Sequence, residues 1–166
     1  MAHPQLTHLN AAGEITMVDV GDKAVTTRTA TAEGKIHMPP ELVDTLERLK
    51  KGNALETARL AGIKAAKKTS DLIPLCHNLF LEKVGLTFET NREEGWVRAE
   101  ATVRCTAKTG VEMEALTAVN VALLTLYDMG KAAARDMYLD GIRLLPKEGG
   151  ASGTYTAGPL PTTPNA

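Results

Sequence analysis

The segment from Ala115 to Tyr127 contains no charged residue, although 23% of the chain is charged. A helix that is apolar nearly all round is buried, either in the fold or in an interface with another chain. The run is too short to cross a bilayer and contains Asn120 and two threonines. It therefore predicts a helix enclosed by other elements. Its aliphatic positions, which recur at helical spacing, are Leu116, Val119, Val121, Leu123, Leu124 and Leu126.

The segments before this helix alternate between apolar and polar residues. Alternation with a period of two is typical of strands that bury one face. The turn residues Glu93, Glu94 and Gly95 lie between two such segments, so they predict an antiparallel hairpin. The apolar positions that share one face are Val84, Leu86 and Phe88 in the first segment and Val97, Ala99, Ala101 and Val103 in the second.

Capping residues and spacing predict the other elements. Asn53 is expected to cap a helix, and Thr109 with Glu112 to form a capping box at the start of the long helix. In order, we predict strands over 15–20 and 24–38, helices over 40–49 and 53–68, the hairpin, a long helix over 109–135 and a strand over 141–146.

This order is the split β-α-β-β-α-β pattern of ferredoxin-like sandwiches, an α+β class with helices on one face of an antiparallel sheet. We expect one domain over residues 14–148. Residues 1–13 and 149–166 are expected to be flexible tails, because they offer little that could be buried.

The charges of the chain are balanced, with 19 Lys and Arg residues, 20 Asp and Glu residues and a net charge of −1. A general nucleic-acid binder needs a basic surplus, and base stacking needs more aromatic residues than the 4% present. Two cysteines are too few for a disulfide framework or a cysteine-rich zinc site. Because no signal peptide or membrane span is recognisable, we expect a cytoplasmic protein without membrane or nucleic-acid partners.

Basic residues concentrate between positions 48 and 68, where seven cations stand against one acid, Glu56. Such a cluster suits an anionic ligand such as a phosphate, although any single lysine there can equally belong to a solvated helix face. Lys51 stands out because Gly52 follows it in a short connection that can aim its side chain.

His77 lies next to Cys76 in the strongly apolar segment 71–81. Adjacent residues seldom converge on one ion, so we predict no metal site here. Two interpretations stay open: a satisfied core histidine, or a histidine that holds a polar substrate at the mouth of an apolar cleft.

Asp128 and Lys131 follow the uncharged run, three residues apart and on one side of the helix. A simple ion pair is one interpretation. The other is a functional pair, because a carboxylate and an ammonium at the buried end of an apolar helix cost desolvation energy that stability alone rarely justifies.

Glu114 and Asp128 mark the two ends of the uncharged run. They project within about 40° of each other but lie roughly 21 Å apart along the axis, so they cannot meet around one small ligand in one chain. Two copies packed antiparallel would bring Glu114 of one near Asp128 of the other, which predicts a homo-oligomer with composite sites. Alternatively, Glu112 and Glu114 merely complement the helix N-terminus.

Several motifs occur together in this chain: MVDV (17–20), KG (51–52), AGIKAAKKT (61–69), DLIPLCH (71–77), TGVEMEALTA (109–118) and YDMGK (127–131). In this combination the chain resembles the molybdenum cofactor biosynthesis protein C family, the cyclic pyranopterin monophosphate synthases, over about residues 6–153. Three positions depart from the family pattern: Asn78 stands where a proline usually follows the histidine, Gly130 replaces a larger residue, and Ala151 replaces a frequent lysine.

The resemblance implies a ferredoxin-like fold and a homohexamer built as a trimer of dimers, with active sites at the dimer interfaces. It also implies a reaction on a small-molecule substrate. In that reaction 3′,8-cyclo-7,8-dihydroguanosine 5′-triphosphate, made upstream by a radical-SAM cyclase, is rearranged to cyclic pyranopterin monophosphate with release of pyrophosphate. We expect no metal and no cofactor.

The resemblance also assigns the site. Asp128 corresponds to the catalytic acid, and Lys131 and Lys51 correspond to catalytic lysines. The chemistry fits these residue types, because a triphosphate needs cations and an Asp-Lys pair in a desolvated site can have pKa values moved toward neutrality. The positions that correspond to substrate-binding residues are Leu75, Cys76, His77, Glu112, Met113, Glu114, Asp19, Arg28, Lys67 and Lys147.

Two other classes compete with a synthase. A ligand-sensing module of the same fold could bind a small anion at a dimer interface, and formation of the product separates the two. An RNA-recognition module should present exposed aromatic residues on its central strands, where the second hairpin strand offers only Trp96.

Overall fold

The computed structural model describes residues 8–10, 12–50 and 52–145. These residues form a four-stranded sheet with helices packed on one face. The elements are, in chain order, β1 (Thr26–His37), α1 (Pro40–Val43), α2 (Ala54–Ala66), α3 (Thr69–Leu72), β2 (Leu81–Asn91), β3 (Trp96–Ala107), α4 (Glu112–Gly130) and β4 (Tyr138–Leu144). A 3₁₀ turn, Leu46–Arg48, lies between α1 and α2.

The strand order is β2-β3-β1-β4, and every neighbouring pair is antiparallel. β1 and β2 are connected through the first helices but are not neighbours, because β3 lies between them. This is the split β-α-β arrangement, so the α+β ferredoxin-like prediction is confirmed. The predicted hairpin consists of β2 and β3, and its Gly95 adopts a φ of 67° that glycine reaches without strain.

α4 packs closely on the sheet and on α2 because glycines stand at the two contacts. A Cβ on Gly34 of β1 would lie 3.0 Å from Leu123 and 3.1 Å from Val119 of α4. A Cβ on Gly62 of α2 would lie 2.8 Å from the carbonyl oxygen of Ala118. These positions have no room for a side chain, so the path of α4 across the sheet is closely defined.

The enclosure predicted for α4 is only partial within one chain. Leu123 and Leu126 are fully buried, but Leu124 is 55% exposed. An apolar groove runs beside α4, between α2 and α3. The exposed side chains of Leu60 in α2 and Leu72 in α3 line it. None of the elements that the structure describes covers this side of the helix layer. None of the described helices combines the length and the apolar composition that a bilayer crossing requires.

The opposite face of the sheet is polar, and its charges are paired. The carboxylate of Glu33, whose side chain is 14% exposed, accepts hydrogen bonds from Arg98 of β3 at 2.7 Å and from Arg143 of β4 at 2.8 Å. Burial alone would raise the pKa of Glu33, but these hydrogen bonds and the two positive charges outweigh it and lower the pKa. These three side chains join β1, β3 and β4, and a 3.5 Å contact from Arg98 to Glu89 of β2 extends the network to the fourth strand.

Two segments in the N-terminal third of the chain, 15–20 and 40–49, have a different secondary structure from the one predicted. The predicted strand over 15–20 is wrong: Ile15 forms only an isolated bridge with Leu9, and no strand among the described residues pairs with the rest of the segment. The helix predicted over 40–49 is one α-turn followed by the 3₁₀ turn. There the hydroxyl of Thr45 donates to the carbonyl of Leu42, a local bond that competes with continuation of the helix.

Of the predicted helix ends, the start of α2 is confirmed, while the cap and the end predicted for α4 are wrong. The cap at Asn53 is confirmed, because its side-chain oxygen accepts from the backbone N–H of Glu56 at 3.0 Å. The capping box of Thr109 is wrong, since Val111 occupies the cap position of α4 without a side-chain hydrogen bond. α4 also ends at Gly130 rather than near residue 135, and the amides of Ala133 and Ala134 both donate to the Gly130 carbonyl in the turn that follows.

Candidate active site

A cavity of about 330 Å³ opens at the N-terminal end of α4. Three parts of the chain form its wall: the first turn of α4 with the connection from β3, the extended segment before β2, and the N-terminal segment before β1. Its lining residues are His8, Val18, Val20, Lys23, Leu75, Cys76, His77, Leu79, Thr109, Gly110, Glu112, Met113 and Glu114.

Six of the predicted substrate-binding residues meet in this cavity. They come from two short stretches that are distant in sequence, 75–77 after α3 and 112–114 in the first turn of α4. The fold places these stretches side by side, which gives the cavity a mixed lining of carboxyl, imidazole, thiol and apolar groups. Such a concave site with a few polar groups is the usual form of a small-molecule site.

Glu114 is the buried acid of the cavity, with 4% of its surface exposed. Burial raises the pKa of Glu114, and neighbouring Glu112 adds to this, while a hydrogen bond from its own backbone amide opposes it. A carboxyl with a raised pKa keeps its proton to higher pH than usual. Glu114 is therefore suited to donate a proton or a hydrogen bond to a ligand.

His77 lines the cavity and is also anchored. Its Nε2 lies 2.9 Å from the carbonyl oxygen of Val18. Because a carbonyl can only accept, Nε2 carries the hydrogen, and Nδ1 of the neutral ring is left as an acceptor. The sequence left two interpretations open, a histidine satisfied within the protein and a histidine at the edge of a cleft. Both apply in part: the backbone satisfies one nitrogen, and the ring forms part of the cavity wall.

Arg28 contributes a buried positive charge near this end of the sheet. It is 8% exposed, lies opposite Cys105 of β3, and its Nε has no hydrogen-bond partner among the described residues. Burial and the charge of Glu114 raise the pKa of the Cys105 thiol, and Arg28 opposes this. An unsatisfied buried guanidinium nitrogen is costly, so the position calls for an anionic or carbonyl partner.

Neither Asp19 nor Lys67 lines the cavity. The side chain of Asp19 is exposed between Val18 and Val20, and its Oδ1 accepts from the amide of Gly21 at 2.7 Å. Lys67 is the C-cap residue of α2, with an exposed side chain. The assignments of Lys51 and Lys147 lie outside the described residues.

Cys76 is a thiol rather than a thiolate in this environment. Burial raises its pKa, and the charge of Glu114 raises it further. Because the thiolate is the nucleophilic form, this lining residue is suited to packing against a ligand and not to attacking it.

Asp128 and Lys131 form an ion pair of 2.7 Å at the C-terminal end of α4. Their side chains are 59% and 53% exposed, so the expected burial of this pair is not found in the single chain. The carboxylate of Asp128 raises the pKa of Lys131. After Gly130 the chain continues to β4, which begins at Tyr138.

The cavity and the ion pair lie at opposite ends of α4. With a rise of about 1.5 Å per residue, roughly 21 Å separate Glu114 from Asp128 along the axis. One chain therefore assembles six of the predicted substrate-binding residues but does not bring the predicted catalytic pair to them.

Several lining residues were missed by the sequence analysis. The signal for Val18 and Val20 was present, because two residues that alternate around Asp19 face the same way. His8 was assigned to a flexible tail, and Lys23 follows a turn without any motif, so neither carried a local signal.

The sequence profile described as the MoaC family matches residues 17–150. The chain belongs to the MoaC family. The match covers most of the chain and contains every described strand and helix. The resemblance inferred from the motifs is thus confirmed, and most lining residues of the cavity in this MoaC-family chain belong to the motif segments.

Curated relatives agree with this family assignment. A protein named cyclic pyranopterin monophosphate synthase from Parvibaculum lavamentivorans is 55% identical over 95% of this chain and 99% of its own length. One of the same name from Methylobacterium sp. (strain 4-46) is 58% identical over 93% and 98%. A third, from Chloroflexus aurantiacus, is 53% identical over 93% and 96%. This MoaC-family chain is therefore similar to these synthases from end to end.

Proposed function

We propose that the chain is a cyclic pyranopterin monophosphate synthase of molybdenum cofactor biosynthesis. It converts 3′,8-cyclo-7,8-dihydroguanosine 5′-triphosphate to cyclic pyranopterin monophosphate and releases pyrophosphate. The observation that carries this proposal is the cavity at the start of α4, where two family motif segments place His77 and the buried acid Glu114 in one wall. The names and high identities of the relatives support the same reaction.

The cavity suits a ligand that carries both a polar ring system and phosphates. Lys23 and His77 line it, and Arg28 is buried in the neighbouring part of the sheet with a nitrogen to satisfy. The positive charges of Lys23 and Arg28 stabilise the negative charge that develops when pyrophosphate leaves, and His77 offers a hydrogen-bonding ring. Val18 and Leu79 add apolar wall that excludes water from the reacting atoms.

The rearrangement needs several proton transfers, since the five-membered ring of the purine opens and a pyran ring closes. We assign Asp128 and Lys131 as the acid/base pair and Lys51 as the acid or electrophile at the phosphates. Glu114, whose pKa is raised by burial, is a carboxyl in the cavity wall that can give up or take a proton. Closure of the cyclic phosphate requires a sugar hydroxyl aligned on the α-phosphorus, which is a task of positioning.

The functional unit is a homo-oligomer, a hexamer built as a trimer of dimers. Because roughly 21 Å of helix separate Glu114 from Asp128, a complete site takes its lining residues from one chain and its Asp128–Lys131 pair from another. Leu60, Leu72 and Leu124 are 62%, 57% and 55% exposed, which leaves apolar surface on the helix layer for contacts between copies.

The proposal also includes the cellular compartment of the enzyme and the source of its substrate. The protein acts in the cytoplasm on the product of a radical-SAM cyclase, without a metal or cofactor of its own. Its catalytic domain spans residues 14–148.

The test is conversion of the purified cyclic triphosphate by the purified chain, with pyrophosphate and the pterin product both measured. Asp128→Asn should lower kcat at least about a hundredfold, within the range for loss of a general acid or base. Asp71→Asn is the matched control, because Asp71 also pairs with a lysine three residues away and is 70% exposed. No product from the wild-type chain, or equal rates for Asp128→Asn and the control, would refute the proposal.

A further inference from the structure

Residues 17–23, which we call the strap, form one wall of the cavity without belonging to the sheet. Val18, Val20 and Lys23 line the cavity, while Asp19 between the two valines is exposed. The strap contains two local turns, from the Gly21 amide to Asp19 Oδ1 at 2.7 Å and from the Lys23 amide to the Val20 carbonyl at 3.1 Å. These turns set its internal shape but do not attach it to the domain.

Two side chains tie the strap to the rest of the cavity wall through its backbone carbonyls. Nε2 of His77 donates to the Val18 carbonyl at 2.9 Å. Nζ of Lys108 donates to the Gly21 carbonyl. The two accepting residues are three apart, so the ties hold the strap at two points on either side of Val20. A hydrogen bond from an ammonium is about twice as strong as one between neutral groups.

Lys108 lies in the connection between β3 and α4. The residue after it, Thr109, lines the cavity, and four residues later α4 has already begun. Its tie thus joins the strap to the segment that carries Glu112 and Glu114. Lys108 itself does not line the cavity.

We propose that Lys108 is a positioning residue that holds the strap closed over the bound substrate. Lys108 does not contact the ligand itself. It holds the strap so that Val18, Val20 and Lys23 contact the ligand. This inference rests on the proposed function for the nature of the ligand. Loss of the tie opens the strap, so it weakens binding of the substrate more than it slows the chemical step.

The test compares Lys108→Met, which cannot donate, with Lys108→Arg, which keeps a charged donor. Lys83→Met removes an exposed lysine of β2 and is the control. We expect Lys108→Met to raise KM about tenfold with kcat changed less than about twofold, because only uniform binding is lost. Lys108→Arg should restore KM to near the wild-type value.

Limited trypsin digestion tests the strap without any activity. Lys23 and Ala24 are already exposed, so a protease needs mobility of the backbone there rather than uncovering of the bond. Cleavage after Lys23 should be several times faster in Lys108→Met than in the wild type, Lys108→Arg or Lys83→Met, since release of the strap lets this backbone enter the protease. If Lys108→Met does not fold, Lys108→Ala, which also cannot donate, takes its place in both comparisons.

Equal cleavage after Lys23 in all variants would overturn the proposal. So would a loss of kcat that arginine does not restore, because that result would place Lys108 in the reaction itself. If the wild-type chain forms no product, the proposed function fails, and the digestion still decides whether Lys108 holds the strap.

Discussion

Glu114 and Asp128 lie on one helix in opposite environments. Glu114 is 4% exposed in the wall of the cavity, whereas 59% of the side chain of Asp128 is exposed at the other end of α4. Burial raises the pKa of the first carboxyl, and the second is paired with Lys131. One chain thus contains a buried carboxyl group and an exposed, ion-paired one, and they are too far apart to contact the same substrate molecule.

This separation predicts that two inactive variants complement each other. Glu114→Gln and Asp128→Asn should each lose most activity, but a mixture that has exchanged subunits should recover about a quarter of the wild-type activity. A mixed dimer with two-fold symmetry contains one site that carries both changes and one site that carries neither. The measurement is the initial rate of pyrophosphate release after the two variants are unfolded and refolded together.

The control mixture is Asp128→Asn with Lys131→Met. Both changes lie at the same end of α4, so every site of the mixed dimer contains one of them. This mixture should stay inactive. Recovery that does not exceed the control would mean that each site is built from one chain.

Replacement of the buried acid should stabilise the protein while it impairs activity. The pKa of Glu114 is raised in the folded state, so the folded chain binds this proton more tightly than the unfolded chain does. Wyman linkage then requires that stability falls as the pH rises through the unfolded pKa, about 4.3, to the folded one. At pH 7, therefore, Glu114→Gln should unfold at a higher urea concentration than the wild type.

The advantage of Glu114→Gln should shrink as the pH is lowered below about 4, where the carboxyl is protonated in both states. Glu47→Gln, a change at an exposed position, should behave like the wild type throughout. An advantage that does not depend on pH would show that the ionised carboxylate is not what costs stability.

The opposite sign is expected for Glu33 on the other face of the sheet. Its pKa is lowered, so its contribution to stability is present above the unfolded pKa and is lost as the pH falls through the lowered folded pKa. Glu33→Gln should cost about 1.5–3 kcal/mol at pH 7, the range for hydrogen bonds to charged groups. Urea denaturation at a series of pH values from 7 downward should show this difference shrinking as the solution becomes more acidic.

Glu89→Gln provides the comparison for Glu33. Glu89 also faces Arg98, at 3.5 Å, but its side chain is 62% exposed. Exposed pairs contribute less than about 1 kcal/mol, so this change should be small at either pH. Equal effects of the two substitutions would contradict the central position of Glu33 in the network.

A methyl group at Gly62 should separate α2 from α4. A Cβ there meets Leu86 at 2.7 Å and the Ala118 carbonyl oxygen at 2.8 Å. Overpacking of this kind costs about 1–3 kcal/mol, which exceeds the gain of up to about 1 kcal/mol in helix propensity. Thermal denaturation of Gly62→Ala should show a lower midpoint, whereas Gly85→Ala, with no atom within 4 Å of the added group, should change it less.

The sheet and its helices were predictable because their signals are local. The hairpin follows from alternation around Gly95, and the cap at Asn53 follows from one residue type at one position. The strand predicted over 15–20 was wrong for a related reason: alternation shows which residues share a face, but not whether a neighbouring strand exists to pair with them.

The cavity was partly predictable for the same reason. His77 and Glu114 belong to two contiguous motif segments, so recognition of the motifs brought six lining residues with it. His8, Lys23 and Lys108 act through contacts made across long stretches of chain, which no local pattern records. The exposure of Asp128 was missed because helical periodicity describes a surface without saying what covers it.

The rigid geometry of α4 limits how this chain can vary in length. One residue inserted between Glu114 and Asp128 would turn the second carboxylate by about 100° and move it about 1.5 Å outward, away from any neighbour that was shaped to meet it. Extra residues at the exposed hairpin tip, positions 92–94, would only enlarge a surface turn. The length of α4 thus fixes the distance between the two carboxyl groups. Functional homologues should keep the number of residues between them, while their hairpin tips can differ in length.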